Sequence, residues 1–286
     1  MERYVQAKNV SLVGMIANIL LAAIKVSLGL VSNSQAMIAD GLNSVGDVFS
    51  SFMTWIGNKI SSKPEDEDHP YGHGKSEYIF SFIIGLSLII VAINVMTSSI
   101  NSLILKETVK FSIILIIVAI GNIIVKAILY VYANKIGKLY NNLLVIANAK
   151  DHRNDIMLTL ITLISIIFSK FNIYFIDGIA GIIISIWIAI TGISIIYDAY
   201  KILMDTNLDE KYIEKIKNTI ISIEGVFRID AINSKPTGFK YLIILEIAVS
   251  GDITVNEGHC IAHKVKEQVN NLDNIYDTIV HINPYK

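Results

Sequence analysis

Residues 111–133 read FSIILIIVAIGNIIVKAILYVYA, and Lys126 is the only charged residue among them. A helix that crosses the apolar part of a bilayer needs about 20 mostly apolar residues. This stretch therefore predicts a transmembrane helix. Six segments of the chain reach this length, and together they predict a membrane α-helical bundle of six transmembrane helices: residues 9–31, 35–59, 77–104, 111–134, 142–168 and 174–199. The second and the fifth of these segments are less apolar than the other four.

The composition divides the chain into a long apolar part and a short polar part. Hydrophobic residues make up 53% of the 286 residues and charged residues 17%, whereas soluble chains average about 25% charged. Residues 201–286 nevertheless hold 22 of the 49 Asp, Glu, Lys and Arg residues. A soluble enzyme that fills the whole chain is excluded. We expect a protein that is not an enzyme, because the predicted spans carry no nucleophile–base pair or hydrolytic zinc motif.

Charge and cysteine content exclude other classes. The formal net charge is −1, so no general attraction to nucleic acid is expected. The single cysteine, Cys260, excludes an intramolecular disulfide framework and a Cys-rich metal site. With both termini in the cytoplasm, seven basic residues fall in inner segments and three in outer loops, which is the usual bias. Abundant Ile and Asn with few Pro indicate an AT-rich bacterial genome, hence a multi-pass protein of the bacterial plasma membrane.

Residues 206–286 predict a small cytoplasmic α+β domain of order αββαβ, which follows a six-span transmembrane domain at 1–205. The apolar periodicity of the helices and the turn between the first two strands suggest two helices against one face of a three-stranded sheet. About 80 residues give a marginal core, so we expect the domain to pair with a second copy. The predicted elements are helices Asp209–Ile223 and Thr254–Leu272, and strands Phe227–Asn233, Tyr241–Ser250 and Thr278–Ile282.

Two predicted spans carry matched pairs of polar residues about halfway along their length. Asn43 and Asp47 lie four residues apart in the second span, and Asp151 and Asp155 repeat that spacing in the fifth. Residues four apart share one face of a helix. Ionisable groups at bilayer depth are costly and usually functional. The two pairs predict a cation site of four oxygen-bearing side chains. The alternative is polar contact that only holds the helices together.

The loop between the second and third spans is a second candidate metal site. It places Asp66, His69 and His73 within eight residues, and imidazole and carboxylate groups so close together can bind a divalent ion. The alternative is a solvated acidic loop.

These motifs resemble those of the cation diffusion facilitator family of divalent-metal antiporters. The resemblance covers the six spans and the C-terminal domain, and it implies a homodimer with a metallochaperone-like cytoplasmic domain that exchanges metal for protons. It also implies that Lys75 and Asp205 pair near the junction of membrane and cytoplasm. The matching positions are Asn43 and Asp47, Asp151 and Asp155 in the transport motifs, Asp66, His69 and His73 in the loop site, and the run His73-Gly74-Lys75.

The sequence departs from zinc-transporting members of that family. These usually have His or Asp at the position of Asn43 and His at that of Asp151. In the C-terminal domain His263 and His281 remain as candidate ligands, but Ile229 stands where a histidine would align, as does Ile244. A structural zinc cluster in the C-terminal domain is therefore in doubt.

The donor set indicates which ion is carried. Zinc prefers imidazole and thiolate, whereas carboxylate and amide oxygens suit harder ions. The oxygen-only arrangement also resembles that of the manganese-exporting bacterial members of the family. We therefore expect efflux of Mn²⁺, with Fe²⁺ and then Zn²⁺ as alternatives. A membrane metal sensor or storage protein, or a channel with an acidic filter, would also use such a site. The sequence does not decide whether Lys25 and Lys126 extend towards the aqueous layers or neutralise buried acids.

Overall fold

The computed structural model describes residues 2–31, 35–105, 113–169 and 175–285. The chain forms two compact units, which are described separately below. One unit comprises Met1–Lys63 and Ser76–Tyr200, and the other comprises Pro64–Lys75 and Lys201–Lys286.

Six long helices correspond to the six predicted segments, although α1 begins seven residues earlier than predicted and α4 and α6 end five and four residues later. Four of them, α1, α3, α4 and α6, contain stretches of 23 to 29 residues that are long and apolar enough to cross a membrane. The other two, α2 and α5, carry the polar motifs. The helices are α1 Glu2–Val31, α2 Gln35–Ser61, α3 Ser76–Leu105, α4 Ile113–Leu139, α5 Leu143–Ser169 and α6 Phe175–Leu203.

Packing of these helices places α2 and α5 inside the bundle. Helix α1 lies along α2, α4 lies along α5, and α2 and α5 also contact each other and α3. Polar side chains of α2 are buried at these contacts, including Ser51, Thr54 and Asn58. Helices α3 and α6 approach each other closely at two glycines. A β-carbon at Gly85 would lie only 3.0 Å from the carbonyl oxygen of Gly192.

A buried ion pair fixes the start of α1 against α3. Arg3 Nη2 lies 2.6 Å from Glu77 Oε2, and the two side chains are 9% and 1% exposed. Arg3 also donates to the carbonyl oxygen of Tyr140, and Leu143 N donates to Glu77 Oε1 at 2.8 Å. The pair therefore joins α1, α3 and the turn between α4 and α5.

The second unit contains a three-stranded sheet and two helices in the predicted order αββαβ. The elements are α7 Glu210–Ile221, β1 Arg228–Pro236, β2 Tyr241–Ser250, α8 Val255–Asn270 and β3 Ile275–Tyr285. Strand β2 is central, antiparallel to β1 and parallel to β3. Each helix begins immediately after a capping residue: Asp209 accepts from Tyr212 N, and Thr254 forms a capping box with Glu257. These caps satisfy amide groups that the first helical turn leaves without partners.

Both helices pack on one face of the sheet. Every second residue of β2, including Ile243, Leu245 and Ile247, enters the core, as expected for a strand whose side chains alternate between faces. Ile216 of α7 and Val265 of α8 lie in the same core. The predicted fold class, a helical membrane bundle with a small α+β domain, is confirmed.

Removal of one partner of the Arg3–Glu77 pair tests its contribution to the bundle. Glu77→Ala leaves the Arg3 guanidinium buried without its counter-charge, so we expect the free energy of unfolding to fall by about 3–5 kcal/mol. The measurement is thermal unfolding of the purified protein in detergent. The control is Lys8→Ala, which removes an exposed charge from the same helix as Arg3. An unfolding temperature equal to that of the control would contradict the prediction.

Candidate metal centre

Three aspartates meet between the middles of α2 and α5. Asp47 is the thirteenth residue of the 27-residue helix α2, and Asp155 is the thirteenth residue of the 27-residue helix α5. Asp151 lies one turn before Asp155. Each of the three carboxylates offers one oxygen atom, and these atoms all lie within 4.8 Å of one another. The two helices contact each other, so the spacing of four residues within α5 brings both of its acids to Asp47.

The aspartates line a small cavity. It has a volume of about 140 Å³, and its wall includes all three acids together with Ser50 and Asn154. Ser50 also hydrogen-bonds to the carboxylate of Asp151. Asp47 is only 7% exposed. Charges that are so poorly hydrated need a cation, because burial without compensation costs several kcal/mol per ion.

Lys126, at the middle of α4, supplies a positive charge to these acids. Its Nζ atom lies 2.7 Å from Asp47 Oδ2 and 2.7 Å from Asp155 Oδ2, and its side chain is 1% exposed. Of the two possibilities left open for Lys126 by the sequence, the structure selects neutralisation of buried acids. Lys25 is also buried, and its Nζ donates to Ser44 Oγ.

The fourth predicted ligand, Asn43, lies in α2 one turn before Asp47, but its side chain is outside the described residues. The structure therefore brings together three of the four predicted side chains.

A buried polar layer beside the acids was missed by the sequence reasoning. Asn18 Nδ2 donates to the carbonyl oxygen of Asp47 and to Ser51 Oγ. Asn148 and His152 of α5 are buried, Asn148 Nδ2 donates to Ser50 Oγ at 3.3 Å, and His152 Nε2 would lie 3.6 Å from a β-carbon at Gly14. His152 is thus directed towards α1. The spacing of four residues between Asn148 and His152 was a signal that could have indicated these buried polar contacts.

The loop residues Asp66, His69 and His73 form a second cluster, in the second unit. His69 Nδ1 lies 2.9 Å from Asp66 Oδ1, and His73 Nε2 lies 3.4 Å from Asp66 Oδ2. One potential ligand atom from each residue falls within 4.8 Å of the others. The hydrogen bond from His69 lowers the pKa of Asp66 below its ordinary value, so the carboxylate stays ionised in mildly acidic solution.

Local hydrogen bonds shape this loop. His69 N donates to Asp66 Oδ1 at 2.7 Å, and Gly72 N donates to the carbonyl oxygen of His69 at 2.9 Å. Gly72 has φ 73°, a left-handed conformation that glycine adopts without strain. Tyr276 of β3 donates to Glu65 at 2.6 Å, and this bond raises the pKa of Tyr276 to about 12. The loop is therefore anchored to β3 of the three-stranded sheet, which belongs to the same compact unit.

The remaining predicted residues fall outside both clusters. Lys75 Nζ lies 2.5 Å from Asp205 Oδ1, so the pair implied by the family resemblance is present. His263 in α8 and His281 in β3 are exposed. Neither belongs to a group of three potential ligands among the described residues.

Comparisons with known proteins cover almost the whole chain. The model of the cation efflux transmembrane domain matches residues 11–204, and that of the cation efflux protein cytoplasmic domain matches residues 208–285. An uncharacterized transporter of Methanocaldococcus jannaschii is 34% identical over 271 residues, which are 95% of this chain and 96% of that protein.

Two similar proteins come from Bacillus subtilis. The manganese efflux system protein MneP is 32% identical, with 99% of this chain and 98% of that protein covered. The manganese efflux system protein MneS is 31% identical, with 99% of each chain covered. Both domain models and these full-length similarities agree with the motifs, and the chain therefore belongs to the cation efflux family, the cation diffusion facilitators, which export divalent metal cations.

Proposed function

We propose that this protein exports Mn²⁺ from the cytoplasm in exchange for protons. The observation that carries the proposal is the convergence of Asp47, Asp151 and Asp155 halfway along two helices, with oxygen atoms within 4.8 Å of one another. Three carboxylates at one point inside an apolar bundle fit a divalent cation in charge and in donor type.

Donor chemistry supports manganese over zinc. The three acids and the proposed fourth ligand, Asn43, offer only oxygen atoms, which suit hard ions better than zinc. The neighbouring imidazole of His152 is buried and directed towards Gly14 of α1. Two relatives that match this chain over nearly their full length are named as manganese efflux proteins. Fe²⁺ and then Zn²⁺ are the alternative substrates of the same site.

The proposed cycle uses alternating access. The aspartates take the ion from the cytoplasmic side, with Asn43 adding a neutral oxygen. Relative movement of the helices then opens the site to the outside. Protons from outside neutralise the carboxylates, which weakens their hold on the ion and releases it. In this scheme the membrane is the plasma membrane of a bacterium, and both termini lie in the cytoplasm.

We assign separate roles to the two parts of the chain. Residues 1–205 form the transport domain, and residues 206–286 pair with a second copy to make a homodimer. An exposed apolar surface supports self-association: Phe227 and Tyr285 stack with ring centroids 5.2 Å apart, although they are 61% and 45% exposed. Exposed aromatic residues of this kind are typical of protein interfaces.

The loop cluster is proposed as a separate cytoplasmic metal site. Asp66, His69 and His73 combine one carboxylate with two imidazoles, which suits zinc or iron better than the oxygen-only site does. His263 and His281 are a third candidate pair.

Replacement of an aspartate tests the transport site. Asp47→Asn and Asp155→Asn each remove one anionic ligand at nearly constant volume. We expect Mn²⁺ transport to fall at least about 100-fold, which is the size of effect seen when an enzyme loses one preorganised group that stabilises charge. The measurement is metal flux in proteoliposomes with an imposed pH difference. Asp252→Asn, an exposed acid of the C-terminal domain, is the control. Unchanged flux in either site variant would refute the assignment of the site.

The choice of metal is tested by a change of donor type. The double variant Asn43→Asp with Asp151→His introduces an imidazole, so we expect the ratio of Zn²⁺ to Mn²⁺ transport to rise about tenfold or more. Competition between the two metals in the same vesicles measures this ratio. An identical metal profile in the variant and the wild type would show that ligand hardness does not set the selectivity.

The loop site is tested by counting bound ions. The double variant His69→Ala with His73→Ala should lose the ion bound by the loop, which titration calorimetry with Zn²⁺ detects as a missing equivalent. Asp68→Ala, which removes an adjacent exposed acid, should retain it. If both variants bind the same number of Zn²⁺ ions per protein, the loop is not a metal site and is an ordinary solvated turn.

A further inference from the structure

Lys126 lies where a cation bound to the aspartates would have to lie. Its Nζ atom is 2.7 Å from one carboxylate oxygen of Asp47 and 2.7 Å from one of Asp155. These carboxylates belong to two different helices, α2 and α5, so the ammonium bridges both sides of the proposed site. No other ion pair between a lysine and either acid is present among the described residues.

A metal ion and this ammonium cannot share the two carboxylates in the observed geometry. Hard divalent ions bind carboxylate oxygen at about 2.0–2.6 Å. A metal on either bridged oxygen would therefore lie no more than about 5 Å from Nζ, since that atom is 2.7 Å from the oxygen. Like charges repel strongly at this distance in a poorly hydrated interior. Binding of the metal thus requires Lys126 to withdraw.

We propose that Lys126 is a tethered competing cation, which pairs with Asp47 and Asp155 when no metal is bound and is displaced by the incoming divalent ion. The proposal rests on the transport site proposed above. It gives Lys126 two roles in the cycle. The ammonium compensates the acids while the metal-free carrier changes conformation, and it opposes the metal, which promotes release.

A place for the displaced ammonium lies one turn away on the same helix. Asn122 Nδ2 donates to Thr159 Oγ1 at 2.9 Å, and Thr159 Oγ1 in turn donates to the carbonyl oxygen of Asp155. The amide nitrogen must therefore be the donor to Thr159, which leaves Asn122 Oδ1 as an acceptor. That oxygen is buried and has no hydrogen-bond partner among the described residues. A residue four positions along a helix is within side-chain reach, so Asn122 Oδ1 can receive the ammonium.

A purely structural role for Lys126 makes the opposite prediction about binding. If the lysine only holds α2, α4 and α5 together, its removal disorders the acids and weakens metal binding. If it competes with the metal, its removal strengthens binding. The sign of the change in Mn²⁺ affinity separates the two roles.

The test is the dissociation constant of Mn²⁺ for the purified full-length protein, measured in a background of His69→Ala and His73→Ala so that the loop does not contribute. We expect Lys126→Met to bind Mn²⁺ about tenfold tighter or more, because a repelling charge within about 5 Å is removed. Net efflux in proteoliposomes should slow, while exchange of Mn²⁺ across the membrane continues. Lys126→Arg, which keeps the charge, should not tighten binding. Lys135→Met places the same substitution at an exposed position of α4 and should leave the dissociation constant unchanged.

A second comparison covers the case in which Lys126→Met does not fold. The double variant Asp47→Asn with Lys126→Met removes the ammonium together with one of the two acids that it pairs with, so it leaves less uncompensated charge than Lys126→Met does. It is compared with Asp47→Asn alone. Tighter Mn²⁺ binding in the double variant supports the competing role. Equal or weaker binding in both comparisons overturns it.

These outcomes are separable from failure of the transport site itself. If Asp47→Asn and Asp155→Asn leave Mn²⁺ binding and flux intact, the site assignment is wrong. If they abolish flux but removal of Lys126 does not tighten binding, only the role of Lys126 is wrong.

Discussion

The need to compensate three carboxylates inside an apolar bundle governs this structure. Asp47 and Asp155 are held by Lys126 at 2.7 Å, and Asp151 lies within the same cluster. An uncompensated charge at this depth costs several kcal/mol, which is comparable with the whole stability of a typical domain. The acids are therefore tolerable only while a cation accompanies them. The same requirement supports the proposal that the three acids bind a cation.

That requirement explains the unequal character of the six helices. The four helices that meet the hydropathy of a membrane span are α1, α3, α4 and α6, whereas α2 and α5 carry the acids. The two polar helices contact each other, and α1 and α4 lie along them. Many of their polar side chains are thus buried within the protein, away from the apolar surroundings in which an unpaired polar group is costly. Hydropathy alone therefore identifies α1, α3, α4 and α6 as membrane spans more readily than α2 and α5, which carry the acids.

Local patterns made much of the fold and part of the site predictable. The spacing of four residues between Asp151 and Asp155 places both on one helix face. The loop cluster was predictable because its residues, from Asp66 to His73, lie within seven positions of one another in the sequence. The partner of Lys126 was not predictable, because α4 is apolar on nearly every side and its sequence does not reveal which face meets α5. The neighbour of His152 was not predictable for the same reason: helix periodicity gives the faces, but only tertiary packing assigns them to neighbours.

The proposed competition by Lys126 also bears on selectivity by charge. A monovalent ion that replaced the ammonium at Asp47 and Asp155 would bring the same single charge, so the exchange would gain little electrostatic energy, whereas a divalent ion brings twice that charge to the same oxygens. Three carboxylates and one ammonium carry a net formal charge of −2, which one divalent cation balances while the lysine remains nearby at Asn122. In the proposed scheme, Lys126 discriminates against abundant monovalent ions, and the oxygen-only ligands discriminate among the divalent ones. Under this proposal, different side chains of one site select the charge and the hardness of the ion.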